Sequence, residues 1–203
     1  MRPLELELVN FRSFDAAVVD WRPHELVVIA GATGAGKTSL LDGICFALYA
    51  ETPEVKRAEP LLALGRTHGE VRLTFRRDGE VWRVTRRFGK DAPDPRHLLE
   101  RLDGDGGAPV AAIAGEDEVA ARLEDLVGLG YDAFTSAVIL AQGRFAQFLQ
   151  SPPRKRDEIL RELFAVPPLD RAREAAKAIA ASAAGAAEQC AREVARLREH
   201  PPR

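Results

Sequence analysis

The sequence predicts an α/β fold in which strands and helices share one core. Three patterns support this prediction: leucine alternates with glutamate near the amino terminus, an apolar run leads through a glycine-rich turn into a helical segment, and two alternating runs flank an Asp-Gly pair. The chain has 203 residues, of which 46% are hydrophobic, so it is long enough for one domain of ordinary size and an appendage.

The first quarter of the chain is predicted to hold three strands and a buried helix. Leucine and glutamate alternate over residues 4–8, which is typical of a half-buried strand, and residues 16–21 form a second short strand. Residues 26–30 are continuously apolar, as in a strand buried on both faces, and lead directly into Gly31. The helical pattern from Lys37 to Tyr49 leaves few polar positions, so this helix should be largely buried.

The middle of the chain predicts a β-hairpin. Residues 71–76 and 81–88 alternate in polarity, and Asp78-Gly79 between them is a turn signal. The other elements predicted here are a loop with short helical pieces (50–68), a strand (98–102), a glycine-rich turn (104–107), an amphipathic helix (Glu116 to Val127) and an apolar helical segment (Tyr131 to Leu140).

The last quarter predicts helices that are separated by prolines. Pro153 suits the first turn of a helix that runs to about Ala165, and Pro167-Pro168 interrupts the chain again. From Leu169 to His200, small or apolar residues recur at steps of three or four, which fits a helix that packs along one stripe, as in a coiled coil.

Composition narrows the function classes. The formal charge is −2, from 29 basic and 31 acidic residues, so any signal for a nucleic-acid partner must be local. Cys45 and Cys190 do not have the spacing of a metal site or a disulfide framework, which favours a reducing compartment. The first eight residues alternate like a strand, so we do not expect them to be a signal peptide, and no apolar run approaches the ~20 residues of a membrane span. We therefore expect a soluble cytoplasmic protein.

Residues 31–38 carry the motif of a phosphate-binding loop. Their sequence, Gly-Ala-Thr-Gly-Ala-Gly-Lys-Thr, matches G-x-x-x-x-G-K-[ST] at every fixed position. The motif follows an apolar run and opens a helix, which is the context that a working loop requires. The alternative is a glycine-rich turn without a ligand. We predict that the loop binds a nucleoside triphosphate.

The motif gives each loop residue an expected role. Glycines let the loop wrap closely, so that backbone N–H groups point at phosphate oxygens, and the helix start adds its own unpaired N–H groups. Lys37 is expected to reach the β- and γ-phosphates, and the Thr38 hydroxyl to ligate Mg²⁺. The remaining candidates for nucleotide contacts in the loop are Thr33, Gly34, Ala35, Gly36 and Ser39.

Segments on both sides of the loop resemble a known family. Residues 10–14, Asn-Phe-Arg-Ser-Phe, look like the amino-terminal signature of chromosome-maintenance and repair ATPases. The segments that resemble bacterial SbcC proteins are 40–49, 51–53, 140–149, 156–160 and 163–164. The resemblance runs from Met1 to about Val166, and the segment around Gln142 is its most specific part.

This resemblance implies a fold and two ligands. SbcC is the ATPase subunit of the SbcC–SbcD DNA-repair nuclease, and its P-loop ABC-type head combines a mixed sheet with an antiparallel β region. Residues 1–166 would be the amino-terminal head lobe, and residues 167–203 the truncated start of a coiled-coil arm. The implied ligands are ATP and Mg²⁺. Gln142 matches a glutamine that contacts Mg²⁺ and the attacking water, and Arg12 and Ser13 become candidates for phosphate contacts.

The resemblance also implies a missing half. In the family, the carboxy-terminal lobe supplies a Ser-Gly-Gly signature, the Walker B aspartate, the catalytic glutamate and a switch histidine, none of which is recognisable in this sequence. We therefore expect negligible ATP turnover by this chain alone. The implied partners are the carboxy-terminal half of the same protein, a second SbcC copy, an SbcD-type nuclease subunit and double-stranded DNA, in a nucleoid-associated setting without a membrane.

Other interpretations stay open at this point. An SMC-type chromosome-tethering ATPase would use the same head without a nuclease, a phosphotransferase would use the same loop alone, and an isolated lobe would only bind nucleotide weakly. Two groups of residues that are rich in arginine and lysine could meet DNA phosphates or belong to solvated surfaces. They are Arg72, Thr74 and Arg76 with Arg83, Thr85 and Arg87 on one hairpin face, and the cluster Arg154-Lys155-Arg156. The aromatic residues expected in the core are Tyr131, Phe134, Phe145 and Phe148.

Overall fold

The structure is a computed structural model, which describes residues 1–55, 58–104, 106–139, 152–154, 156–157, 160 and 167–199. These residues belong to two units, Met1–Ile159 and Leu160–Arg203. The predicted domain boundary at residue 166 stays a prediction.

A six-stranded antiparallel sheet is the framework of the first unit. Its strands, in the order β2-β1-β3-β4-β5-β6 across the sheet, are β1 (Arg2–Phe11), β2 (Phe14–Asp20), β3 (Gly69–Arg77), β4 (Glu80–Phe88), β5 (His97–Leu102) and β6 (Pro109–Ala114). The alternation in β1 buries Leu6 and Leu8 in the core. The predicted hairpin is confirmed: Asp78 and Gly79 link β3 and β4 with φ of 51° and 86°, as a two-residue turn of this kind requires.

Helix α1 (Lys37–Tyr49) crosses the core face of this sheet, with the bounds that its apolar pattern predicts. Cys45, Phe46 and Leu48 are buried against the strands. At Gly43, a Cβ atom would lie 2.8 Å from Leu8 Cδ2, so the missing side chain lets the helix approach β1 closely. Phe46 stacks edge-on against Phe88 of β4 at 5.0 Å between ring centroids. Packing against β1 and β4 thus fixes α1 on the sheet.

Among the described residues, the helices after α1 are short except for the last. Helix α2 (Glu116–Val127) begins with acidic residues and ends at Gly128, whose φ of 72° makes the usual helix stop. Helix α3 (Tyr131–Ala133) continues as a π-helical turn, Phe134–Val138, and Glu59–Leu61 forms a 3₁₀ turn. In the second unit, α4 (Pro167–Glu199) confirms the predicted long helix but starts two residues earlier, because proline is tolerated in a first turn.

The predicted strand over residues 26–30 is wrong. This segment pairs with no strand among the described residues, and the side chains of Leu26 and Val28 are 85% and 83% exposed. Its apolar sequence indicates burial, but a strand buried on both faces needs neighbours that the described part of the chain does not provide. The strand pairings among the described residues are all antiparallel. The sheet is therefore not the mixed sheet that the resemblance implies.

Strand β6 is an element that the sequence did not predict. Its alanine-rich segment, Pro-Val-Ala-Ala-Ile-Ala, lacks a period-two pattern and is mostly exposed at the sheet edge. Among the described residues, no helix combines the length and the apolar character that crossing a bilayer requires.

Candidate functional site

The predicted phosphate-binding loop lies between the exposed apolar segment and α1. Gly34 and Gly36 have φ of 84° and 87°, in the left-handed region that glycine adopts readily. The Ala35 N–H donates to the Ala32 carbonyl at 3.2 Å and closes a turn. At Gly36, a Cβ atom would lie 2.6 Å from Phe14 Cζ, so both the backbone and the neighbouring ring require glycine at this position.

Lys37 folds back over the loop. Its Nζ donates to the carbonyls of Gly31 at 2.9 Å and Ala32 at 2.7 Å. Helix α1 begins at this residue, and neither a capping side chain nor an acidic residue in the first turn satisfies its amino end. The first N–H groups of α1 and the positive end of its dipole are therefore available to an anion.

Two hydroxyl residues follow the lysine in α1. Thr38 is exposed, whereas Ser39 is buried. A hydroxyl oxygen at the exposed start of the helix is a suitable ligand for Mg²⁺, which prefers oxygen and keeps several waters. Thr33 and Ala35 are exposed in the loop itself, while Gln142 lies outside the described residues.

The turn between β1 and β2 brings Ser13 to the loop and pairs Arg12 with two carboxylates. Ser13 Oγ lies 3.0 Å from the position that a Cβ atom on Gly36 would take. Arg12 has φ of 51°, and its Nη2 lies 3.0 Å from Asp42 Oδ2 and 3.4 Å from Glu54 Oε2. Of the two predicted phosphate contacts, Ser13 thus borders the loop, and Arg12 pairs with carboxylates.

Asp42 is a residue of this site that the sequence reasoning missed. Its side chain is only 3% exposed, in the middle of α1. Burial raises the pKa of the Asp42 carboxyl, Arg12 opposes this rise, and the charge of Glu54 adds to it. A carboxylate inside the apolar helix could have signalled a buried partner, since buried charges need one.

Arg86 is a second missed residue, at the other end of α1. Its side chain is buried, with Nε donating to the Ala47 carbonyl at 3.0 Å and Nη2 to the Leu48 carbonyl at 3.2 Å. Nη1 lies 2.8 Å from His97 Nδ1. Burial lowers the pKa of Arg86 to about 10, although Glu116 opposes the change. The guanidinium therefore caps the carboxy end of α1 as a cation, which suits the helix dipole.

The predicted basic face of the hairpin exists, but its charges are compensated. The register pairs Arg72 with Thr85 and Thr74 with Arg83, so these side chains share one face as predicted. Arg72 contacts Glu7 at 2.9 Å and Glu70 at 2.6 Å, and Arg87 also contacts Glu70 at 2.6 Å. The same face thus carries acidic residues that hold its arginines.

The aromatic prediction can be judged for two residues. Phe134 is buried as predicted, and Tyr131 is half-buried against Tyr49 with 5.6 Å between ring centroids. Phe145, Phe148 and Lys155 lie outside the described residues.

Two apolar grooves lie beside α1 in the part of the chain that the structure describes. One cavity, of about 450 Å³, lies between Leu41, Ile44, Val127 and Phe134. A second, of about 250 Å³, is lined by the same two α1 residues and by Val27 of the exposed segment. Apolar surface in such grooves favours a covering partner.

Comparisons with known proteins agree with the resemblance to SbcC. The SbcC component of the SbcCD nuclease from Deinococcus radiodurans is 41% identical over 166 residues, which cover 80% of this chain and 18% of that protein. The Vibrio cholerae protein of the same name is 32% identical over 182 residues, covering 81% and 18%. The Aquifex aeolicus protein named probable DNA double-strand break repair Rad50 ATPase is 31% identical over 206 residues, covering 100% and 20%.

This chain spans only 18–20% of the length of these curated relatives. The AAA domain family matches residues 5–182, which include the loop, the sheet and α1. The structure and this match confirm the predicted class, an α/β ATPase lobe with an antiparallel β region. The chain belongs to the AAA domain family, and its sequence is similar to SbcC and Rad50 proteins.

Proposed function

We propose that this chain is the ATP-binding half of an SbcC-type ATPase head, which drives the processing of DNA double-strand ends and hairpins by a nuclease complex. The observation that carries the proposal is the glycine-rich loop at residues 31–38. It leads into α1, whose amino end has no side-chain cap, and Lys37 Nζ is hydrogen-bonded to two carbonyls of the loop. Such a loop suits the phosphates of ATP.

Each loop residue has a role in this proposal. Lys37 Nζ exchanges the carbonyls of Gly31 and Ala32 for phosphate oxygens. The Ala35 N–H gives up its bond to the Ala32 carbonyl, so that the backbone N–H groups of Gly34–Lys37 surround the phosphates. Thr38 supplies the hydroxyl ligand for Mg²⁺, which neutralises charge on the phosphates when it is bound. Ser39 supports the helix start, Ser13 borders the phosphates, and Gln142 orients the attacking water.

We further propose that the carboxy-terminal half of the same protein completes the head. The apolar segment at residues 26–29 is exposed, and apolar grooves lie beside Leu41 and Ile44, which supports a further layer that packs on this face. In the family, that half carries the Walker B aspartate and the catalytic glutamate. ATP turnover by this chain alone should therefore be negligible.

The complete protein would act as a dimer of heads in the cytoplasm, associated with the nucleoid. Two heads would enclose two ATP molecules, and hydrolysis would release them and reposition double-stranded DNA at an SbcD-type nuclease subunit. If DNA meets the hairpin face, its phosphates must replace Glu7 and Glu70 as partners of Arg72 and Arg87. Such binding should depend steeply on salt.

Nucleotide binding tests the site directly. We expect the 203-residue chain to bind a fluorescent ATP analogue in the presence of Mg²⁺, and Lys37→Ala to weaken binding at least tenfold. Lys90→Ala is the matched control, because this lysine lies in an exposed loop after β4. Equal affinities of the Lys37→Ala variant and the unchanged chain would contradict the proposed site.

A further inference from the structure

The backbone around Arg12 is firmly held beside the phosphate-binding loop. Its N–H donates to the Leu61 carbonyl at 2.7 Å, and the neighbouring Phe11 forms a β-bridge with Leu62. The next residues, Ser13 and Phe14, touch the position of Gly36. The side chain of Arg12 therefore starts from a fixed point at the edge of the loop.

The guanidinium of Arg12 has hydrogen-bond donors that its two carboxylate partners do not engage. The contacts to Asp42 and Glu54 both go to Nη2, and Nε is buried without a hydrogen-bond partner. Asp42 Oδ2 also lacks a hydrogen bond, so its 3.0 Å contact with Nη2 is an ion pair of poor geometry. Since guanidinium offers five donors in a planar fork, a phosphate group could engage it better than these carboxylates do.

The two carboxylates differ in their surroundings. The Asp42 side chain is 3% exposed and belongs to α1, the helix that begins at Lys37. Removing its cation would leave a buried charge without a partner, which is costly. The Glu54 side chain is 65% exposed in the loop after α1, and its hydrogen bond with Arg12 is 3.4 Å long. Glu54 can leave Arg12 for water at little cost, whereas Asp42 cannot.

We propose that Glu54 competes with the phosphates of ATP for Arg12, and that Asp42 anchors Arg12 in both states. Without nucleotide, Glu54 holds the outer side of the guanidinium. When ATP enters the loop, a phosphate replaces Glu54 on Arg12, and the ion pair with Asp42 persists. The inference rests on the proposed nucleotide site, and it assigns Glu54 and Asp42 as positioning residues that act through Arg12.

The affinity of the Glu54→Gln variant for ATP tests the competition. We expect Glu54→Gln to bind a fluorescent ATP analogue about two- to fivefold more tightly, since an exposed ion pair of this strength is lost. An unchanged or weaker affinity would overturn the proposal.

A double-mutant cycle with Arg12 separates competition from a structural effect. In the Arg12→Ala background, Glu54→Gln should no longer change the affinity for ATP. Asp42→Asn should weaken ATP binding when Arg12 is present and have no effect on binding in the Arg12→Ala background. Persistence of either effect without Arg12, or tighter binding by Asp42→Asn, would overturn the assignment. Loss of ATP binding in Lys37→Ala, measured alongside, shows separately that the loop is the nucleotide site.

Discussion

The anchoring of α1 by Arg86 leads to a prediction about stability. Arg86 donates to the carbonyls of Ala47 and Leu48, two of the last four carbonyls of α1, which have no partner within the helix. Both residues are buried, so water cannot replace the guanidinium without structural change. Each buried carbonyl left without a partner costs about 1–3 kcal/mol, so Arg86→Ala should lower the free energy of unfolding by about 2–6 kcal/mol.

Urea denaturation followed by circular dichroism measures this change. Arg83→Ala is a suitable control, because Arg83 lies on the opposite face of the same strand and makes only a 3.5 Å contact with Thr74. The control should change the free energy of unfolding by less than about 1 kcal/mol. Arg86→Lys should give an intermediate loss, since an ammonium group lacks the planar fork that spans two carbonyls. If Arg86→Ala were no more destabilising than Arg83→Ala, the proposed anchoring of α1 would be refuted.

Three further predictions concern His97, the loop glycines and the exposed segment. Burial, and then the charge of Arg86, lower the pKa of His97 in the folded state. The contribution of neutral His97 to the free energy of unfolding is therefore full above the unfolded pKa of about 6.5 and is lost as pH falls through the folded pKa. Urea denaturation at a series of pH values should show this loss of stability, and the His97→Asn variant should not. Gly36→Ala should lower the melting temperature more than Gly34→Ala, since both have positive φ but only Gly36 meets Phe14, and similar losses would contradict this. Val28→Asp should leave the melting temperature of this chain unchanged, because Val28 is exposed, and should prevent binding of the carboxy-terminal half in a pull-down assay.

The parts of the fold that the sequence predicts well are those with local signals. Helix α1 and the β3–β4 hairpin follow from apolar periodicity and from the Asp78-Gly79 turn, and α2 follows from its flanking glycines. The strand prediction for residues 26–30 is wrong because the burial of an apolar run depends on partners that the local sequence does not contain. Strand β6 has no such signal, since its alanines favour a strand only through pairing with β5.

The residues of the candidate site also differ in whether a local sequence pattern predicts them. The loop itself is predictable, because its glycines, lysine and threonine are fixed by the chemistry of phosphate binding. The roles of Asp42, Glu54 and Arg86 depend on contacts between residues that are 30 to 42 positions apart in the chain, and no local pattern specifies them. The resemblance to SbcC implies that Arg12 lies beside the nucleotide, and only the structure gives its carboxylate partners.

ATP hydrolysis with and without a separately produced carboxy-terminal half tests the central claim most directly. We predict that this chain binds ATP through Lys37 but does not hydrolyse it, and that hydrolysis appears when the second half is added. Lys37→Ala should abolish that activity. Sustained hydrolysis of ATP by this chain alone would contradict the claim that it is the nucleotide-binding half of a divided ATPase head.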